Sequence, residues 1–318
     1  MSHEDVILPT EPTRELPAIR SIGSVDLRDA LAKGVEDFRA MPTHVVFLSL
    51  IYPIVGIALG SATFGFDVIP LLFPLAAGFA LIGPFAAIGL YELSRRRELG
   101  LDTSWKHAFD IVHSPSLWSI VALGSLLSVI FAVWLAVANA IYMSNFGEEP
   151  TTLSGFARNV LTTPEGHNLI VVGNAVGFFF AVVAFALSVV SFPLLLDRNV
   201  GMAVAIATSL KAIYRNPFTM ALWGLFVAGA LVIGSLPFFI GLAIVMPILG
   251  HSTWHLYRKV VEPDLSPRPD YHPRPRGKRY AADFPVSLFV ASKPTDEASP
   301  KDGGDRSATC RRQGHAAS

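Results

Sequence analysis

Five stretches of this chain contain no Asp, Glu, Lys or Arg: residues 45–64, 68–91, 118–142, 168–196 and 218–250. Windows of that length constrain the fold more than any other feature. A helix needs about 20 apolar residues to cross ~30 Å of hydrocarbon, and each of the first four meets that need once. The fifth is 33 residues long and stays apolar to about Tyr257, which suits two short spans better than one. Gly-Ser-Leu-Pro at 234–237 supplies the turn between them, because Gly and Pro punctuate helices and the residue before Pro leaves the α region. The pattern predicts an all-α, polytopic transmembrane helical bundle of six spans.

Composition agrees. The chain is 52% hydrophobic and 16% charged, where soluble proteins carry about a quarter charged residues. Its formal net charge is zero, so nothing draws it to nucleic acid, and the expected surroundings are the lipid bilayer. The single cysteine, Cys310, excludes an internal disulfide framework and a thiolate metal cluster. Phosphate-loop, zincin and nucleophile-elbow patterns are absent. The spans hold no ionisable side chain of the kind that couples transport to protons or sodium. The first 44 residues are polar, with no apolar core of a signal peptide, and are expected to stay on the side of synthesis.

Loop charge sets the expected orientation. With six spans, segments 1–44, 92–117, 197–217 and 258–318 share one face and carry 5, 4, 3 and 12 of the 25 lysines and arginines. The opposite loops hold only Arg158. The positive-inside rule then places both termini in the cytoplasm.

A unit recurs three times. Before spans one, three and five come residues 25–42, 101–115 and 200–217, each a short helix-like segment ending in the proline that opens the next span. Counting back from Pro42, Pro115 and Pro217, the fourth residue is Phe38, Ile111 or Ile213 and the seventh is Val35, Ala108 or Leu210. That spacing makes an apolar stripe, and the first copy, charged elsewhere, is expected to lie in the headgroup plane. The hairpin exits match too. Pro84 is followed by Tyr91, Arg95 and Arg96 at the same spacings that separate Pro247 from Trp254, Arg258 and Lys259. An aromatic at the interface with basic residues one turn further on is a membrane anchor. The middle exit, Pro193 to Asp197-Arg198, is shorter. Three interfacial-helix-plus-hairpin units follow.

The segments DLRDALAKGVEDF, GPFAAIGLYELSRRRELG, SFPLLLDR and HSTWHLYRK together resemble an uncharacterised family of bacterial integral membrane proteins, domain of unknown function 2189. The resemblance covers roughly residues 15–260. It implies a bacterial inner-membrane location and a multi-span fold, and no activity. The expected organisation is a disordered cytoplasmic N-terminus (1–24), a six-span membrane domain (25–260) and a Pro/Arg-rich tail (261–318) whose composition cannot bury enough apolar surface to order itself.

Few residues are candidates for chemistry. His251 and His255 share one helix face and could ligate a metal or haem, with His44, His107 or His113 as same-side candidates to complete the set. Hydrogen bonding at a wet helix end is the competing expectation. Asn139 and Asn174 lie near the outer ends of spans three and four, where they could bond across helices. Gly56-x-x-x-Gly60 and Gly173-x-x-x-Gly177 permit close helix approach, and residues 150–167 could form a short outer helix. Three functions compete: a non-enzymatic structural or accessory membrane component, a passive channel or transporter for apolar or lipid-like solutes, and a metal- or haem-binding protein.

Overall fold

The computed structural model describes residues 15–41, 74, 83–84, 87–147, 153–236 and 240–264. Span one, most of span two, Gly56-x-x-x-Gly60, His44 and the tail beyond residue 264 lie outside the described residues. Within them the protein is helical: α1 (Ser24–Ala40), α2 (Ile88–Glu98), a 3₁₀ helix (Trp105–His113), α3 (Leu117–Phe146), α4 (Leu153–Thr162), α5 (Pro164–Ser188), α6 (Ser191–Asp197), α7 (Met202–Arg215), α8 (Pro217–Ser235) and α9 (Leu242–Val260).

Local chemistry sets these boundaries. The Asp26 carboxylate accepts the Gly23 backbone N–H at 2.9 Å and opens α1. Pro164 and Pro217 occupy the first turns of α5 and α8, where the missing N–H leaves no bond unmade. Pro115 falls just ahead of α3. Beyond α2 the chain turns at Gly100, whose φ of 70° is open to glycine at little cost.

Among the described residues three helical stretches are long and apolar enough to cross a membrane: Leu117–Phe146, Pro164–Asp197 and Pro217–Ser235. They correspond to spans three, four and five. Their outward faces carry large apolar side chains, with Trp118, Phe178, Phe218 and Leu225 all more than 70% exposed. In water such a surface would be an aggregation liability; in lipid it is the solvated surface. The expected break after span five is present, since α8 ends at Ser235 and α9 starts at Leu242.

α9 itself divides in two. Its first part, Leu242 to Leu249, is apolar. Its second part packs along α1, which presents Leu27, Ala30, Gly34 and Asp37 to it. The contact is close because position 34 has no side chain: a Cβ there would sit 2.0 Å from Ser252 Oγ and 2.6 Å from its backbone nitrogen. The face expected to meet headgroups is therefore offset from the face that is buried, and α1 docks on protein. Val35 and Phe38 flank that face, half-buried. In the 3₁₀ helix the expected stripe holds, with Ala108 buried and Ile111 against the core. In α7 Leu210 is 46% exposed, and Ala205, Thr208, Ser209 and Ala212 form the buried face.

The N-terminal approach to α1 is tied down rather than loose from Ala18 onward. Arg20 N donates to Val260 O at 2.8 Å and Glu262 N to Ala18 O at 3.0 Å. Asn216, at the α7–α8 corner, accepts from Ile22 N and donates to Arg20 O.

Two sequence expectations about the apolar helices change. Asn174 donates to the Ile170 carbonyl of its own helix at 2.7 Å, so it does not reach Asn139; the interhelical amide pair is Asn168 to Asn145, at 2.9 Å. Gly177 does serve close approach, lying against the Trp134 indole of α3. The loop between α3 and α5 contains the expected short helix, α4.

Candidate functional site

The polar side chains converge where α1, α2 and α9 meet. α2 is the hub. Ile88, Leu90, Tyr91 and Leu93 are buried, and so are Glu92, Ser94, Arg95 and Arg96. A helix buried on every side must place its polar groups on partners: Ser94, Arg95 and Arg96 each reach a different neighbour, and Glu92 pairs with Arg95 and Arg96 of its own helix.

At the centre of the cluster is Asp37 on α1, 2% exposed. Its Oδ2 accepts the Ser94 hydroxyl at 2.6 Å and His255 Nε2 at 2.8 Å, while Oδ1 accepts Arg97. Burial alone would raise this carboxyl, but the hydrogen bonds from His255, Ser94 and Arg97 outweigh it and hold the group below its ordinary value. Ser94 Oγ lies 2.7 Å from His251 Nδ1. Because the Ser94 hydrogen goes to Asp37, the Nδ1–H of His251 must be the donor in that contact. A hydrogen-bonded chain thus runs from fully buried His251 through Ser94 and Asp37 to His255. A shallow pocket of about 320 Å³ opens beside it, lined by Lys33, Glu36, Asp37, Ser94, Arg97, Glu98 and His255.

Two further clusters adjoin. In one, Tyr257 O–H donates to Asp197 at 2.7 Å, Trp254 Nε1 to Glu98 at 3.1 Å and Arg258 Nε to Glu98 at 3.0 Å. In the other, Arg96 donates to the Asp102 carbonyl at 2.6 Å and faces Asp110 at 3.4 Å, which also holds His107 Nδ1 at 2.5 Å. On the outer edge Lys259 reaches Asp29 at 2.8 Å and Asp26 at 3.3 Å. The hydrogen bond to Asp29 is the main reason its ammonium is held above the usual lysine value.

The structure brings the two histidines to the same carboxylate, not to an open ligand set. Among the described residues no group of three His, Cys, Asp or Glu is placed to hold a metal. His107 is engaged by Asp102 and Asp110, and His113 is exposed. Tyr91, Arg95, Arg96 and Trp254, expected at a lipid interface, are at most 8% exposed. Their partners are protein groups, and Arg95 donates to the Leu196 carbonyl. The Arg258 and Lys259 side chains keep about a quarter of their surface open, at 27% and 25%.

Asp37, Ser94 and Glu98 were not singled out by motif, and Asp197 was noted only as the end of the middle exit. Asp37 had a signal all the same: it continues the 27-30-34 spacing, a carboxylate on a buried stripe opposite two histidines.

Apolar helices that expose their apolar faces, closed at one end by a buried ionic network, are the arrangement of a membrane-embedded bundle. Residues 71–197 match the model of domain of unknown function 2189, described as a predicted integral membrane protein. The resemblance read from the sequence is borne out over that stretch, which holds the GPFAAIGLYELSRRRELG segment and all but the last residue of SFPLLLDR. The protein is an integral membrane protein of unknown function, and lipid is its environment. No curated protein and no solved structure matches the chain.

Proposed function

We propose that the chain is a six-span component of the bacterial inner membrane, built as three units of leading helix plus hairpin, with both termini cytoplasmic. Its role is structural or accessory, carried by its surface rather than by turnover. The observation that carries this reading is the engagement of the polar groups at the charged end: Asp37, Asp197, Tyr257, Trp254 and both histidines each hold another protein group. Such an arrangement stabilises a bundle and presents only a shallow pocket. The lysine and arginine distribution supports the orientation, and the break between α8 and α9 supports the sixth span.

Two measurements test the role. Purified protein reconstituted in liposomes is expected to pass neither ions, small solutes nor lipids above the protein-free rate, and gentle solubilisation is expected to recover a stoichiometric protein partner. Flux abolished by a single substitution in the bundle would replace this reading with a channel or transporter. A haem absorption band, or one bound metal per chain lost on His255→Ala, would replace it with a metalloprotein.

A further inference from the structure

The three units are not merely strung along the chain. Each leading helix packs on the trailing segment of the unit before it. The 3₁₀ helix packs on α2, where Gly89 meets Ala108. α7 packs on α6, where the Ser191 hydroxyl donates to the Ala205 carbonyl at 3.0 Å. α1, the first leading helix, packs on α9, the last trailing one. The order is cyclic, and α1 supplies the step that closes it.

The trailing segments α2, α6 and α9 also touch one another. Each carries Leu-X-Arg: Leu93-Ser94-Arg95, Leu196-Asp197-Arg198 and Leu256-Tyr257-Arg258. All three leucines are at most 1% exposed. The arginines run head to tail. Arg95 of the first segment donates to the Leu196 carbonyl of the second. Arg198 of the second donates to the Glu262 carbonyl just beyond the third. Arg258 of the third donates to Glu98 of the first at 3.0 Å. This spacing brings the middle exit, irregular when aligned on its proline, into register with the other two.

We infer that α2, α6 and α9 form a closed, quasi-threefold arginine clasp at this end of the bundle, and that α1 is the strap whose docking on α9 holds it shut. The inference rests on the three-unit reading above. Two of the seams join neighbours in sequence, since residues 99–104 and 198–201 tether them. The α1–α9 seam joins groups more than 200 positions apart, such as Asp37 with His255 and Asp26 with Lys259. It is held by side chains and by the Ala18–Arg20 backbone bonds alone, so it is the seam that can open. When it opens, α9 loses its support, and with it the Arg258 and Tyr257 contacts that lock α2 and α6.

Cysteine labelling in detergent tests this with the full chain in a Cys310→Ser background. Ala30→Cys reports the α1–α9 seam and Ser191→Cys the α6–α7 seam; both native residues are fully buried. Gly34→Ala, which forces α1 away from Ser252, is expected to speed maleimide labelling at both positions. The increase should be on the order of fivefold to 150-fold, the factor to which ~1–3 kcal/mol of overpacking converts. If Gly34→Ala yields no folded protein by size exclusion, Lys259→Ala applies the same test more gently, with a few-fold increase at both. Faster labelling at position 30 with an unchanged rate at 191 would overturn the clasp, leaving three independent seams. Failure of the orientation or of the structural role would not alter these rates in detergent, so the two proposals fail separately.

Discussion

The charged end of the molecule and its apolar helices invert one another's rules. Around Asp37 the polar atoms are inside, with Asp37, Arg96 and His251 at most 2% exposed. Along α3, α5 and α8 the apolar groups are outside, with Phe178 at 72% and Trp118 at 80%. A water-soluble fold would reverse both. The difference teaches where each region finds its stability. The charged end holds itself by directional pairs that must all be made. The apolar helices leave their outer faces to lipid and pack on one another through contacts such as Gly177 against Trp134.

This contrast gives a ranked set of expectations. Asp37→Ala is the most damaging substitution, because it leaves Arg97, His255 and the Ser94–His251 pair without their common acceptor. Removing one member of a buried charged group costs about 3–5 kcal/mol, read as a large drop in melting temperature in detergent. Gly34→Ala comes next, at about 1–3 kcal/mol from overpacking against Ser252, with α1 released to proteolysis. Tyr257→Phe removes one buried hydrogen bond to Asp197 and is expected to cost ~1–2 kcal/mol, with Arg258 retained as a partial partner. Phe178→Ala is the smallest, below about 0.5 kcal/mol in detergent, as for surface positions generally. A Phe178→Ala effect matching that of Asp37→Ala would erase the contrast.

Acidity separates the regions in the same way. The folded Asp37 carboxyl sits below its ordinary value, so its contribution is present above pH 3.8 and is lost as pH falls through the lower folded value. Lys259 is raised, so its contribution is complete below pH 10.5 and is lost as pH rises through the higher folded value. Melting temperature against pH should therefore fall at both extremes, the acid limb weakening in Asp37→Asn and the alkaline limb weakening in Lys259→Ala. An acid limb that survives Asp37→Asn unchanged would assign it to other carboxylates.

The apolar helices were legible in the sequence because absence of charge over 20 or more residues has one dominant physical meaning. The Gly-Ser-Leu-Pro break was legible from turn chemistry. Amphipathic segments were legible as helices but not as to what covers them. The 24–40 stretch reads the same whether its apolar face meets headgroups or another helix, and contacts such as Gly34 against Ser252 and Asp37 with His255 decide for the helix. Tyr91, Arg95, Arg96 and Trp254 fit an anchor by spacing, yet spacing cannot distinguish a headgroup from Glu98 or the Leu196 carbonyl as the partner. The histidine pair was visible as an i, i+4 face; that both look toward Asp37 depends on a contact 218 residues apart in sequence.

The proposed orientation puts the charged end in the cytoplasm and the α4 end on the other side of the membrane. Single cysteines in place of Lys33, Lys106, Lys211 and Arg158, all exposed, measure it directly in a Cys310→Ser background expressed in bacterial cells. A membrane-impermeant maleimide should label Arg158→Cys in intact cells and the other three only in inverted membrane vesicles. Labelling of Lys33→Cys, Lys106→Cys or Lys211→Cys in intact cells, with Arg158→Cys protected there, would contradict the account.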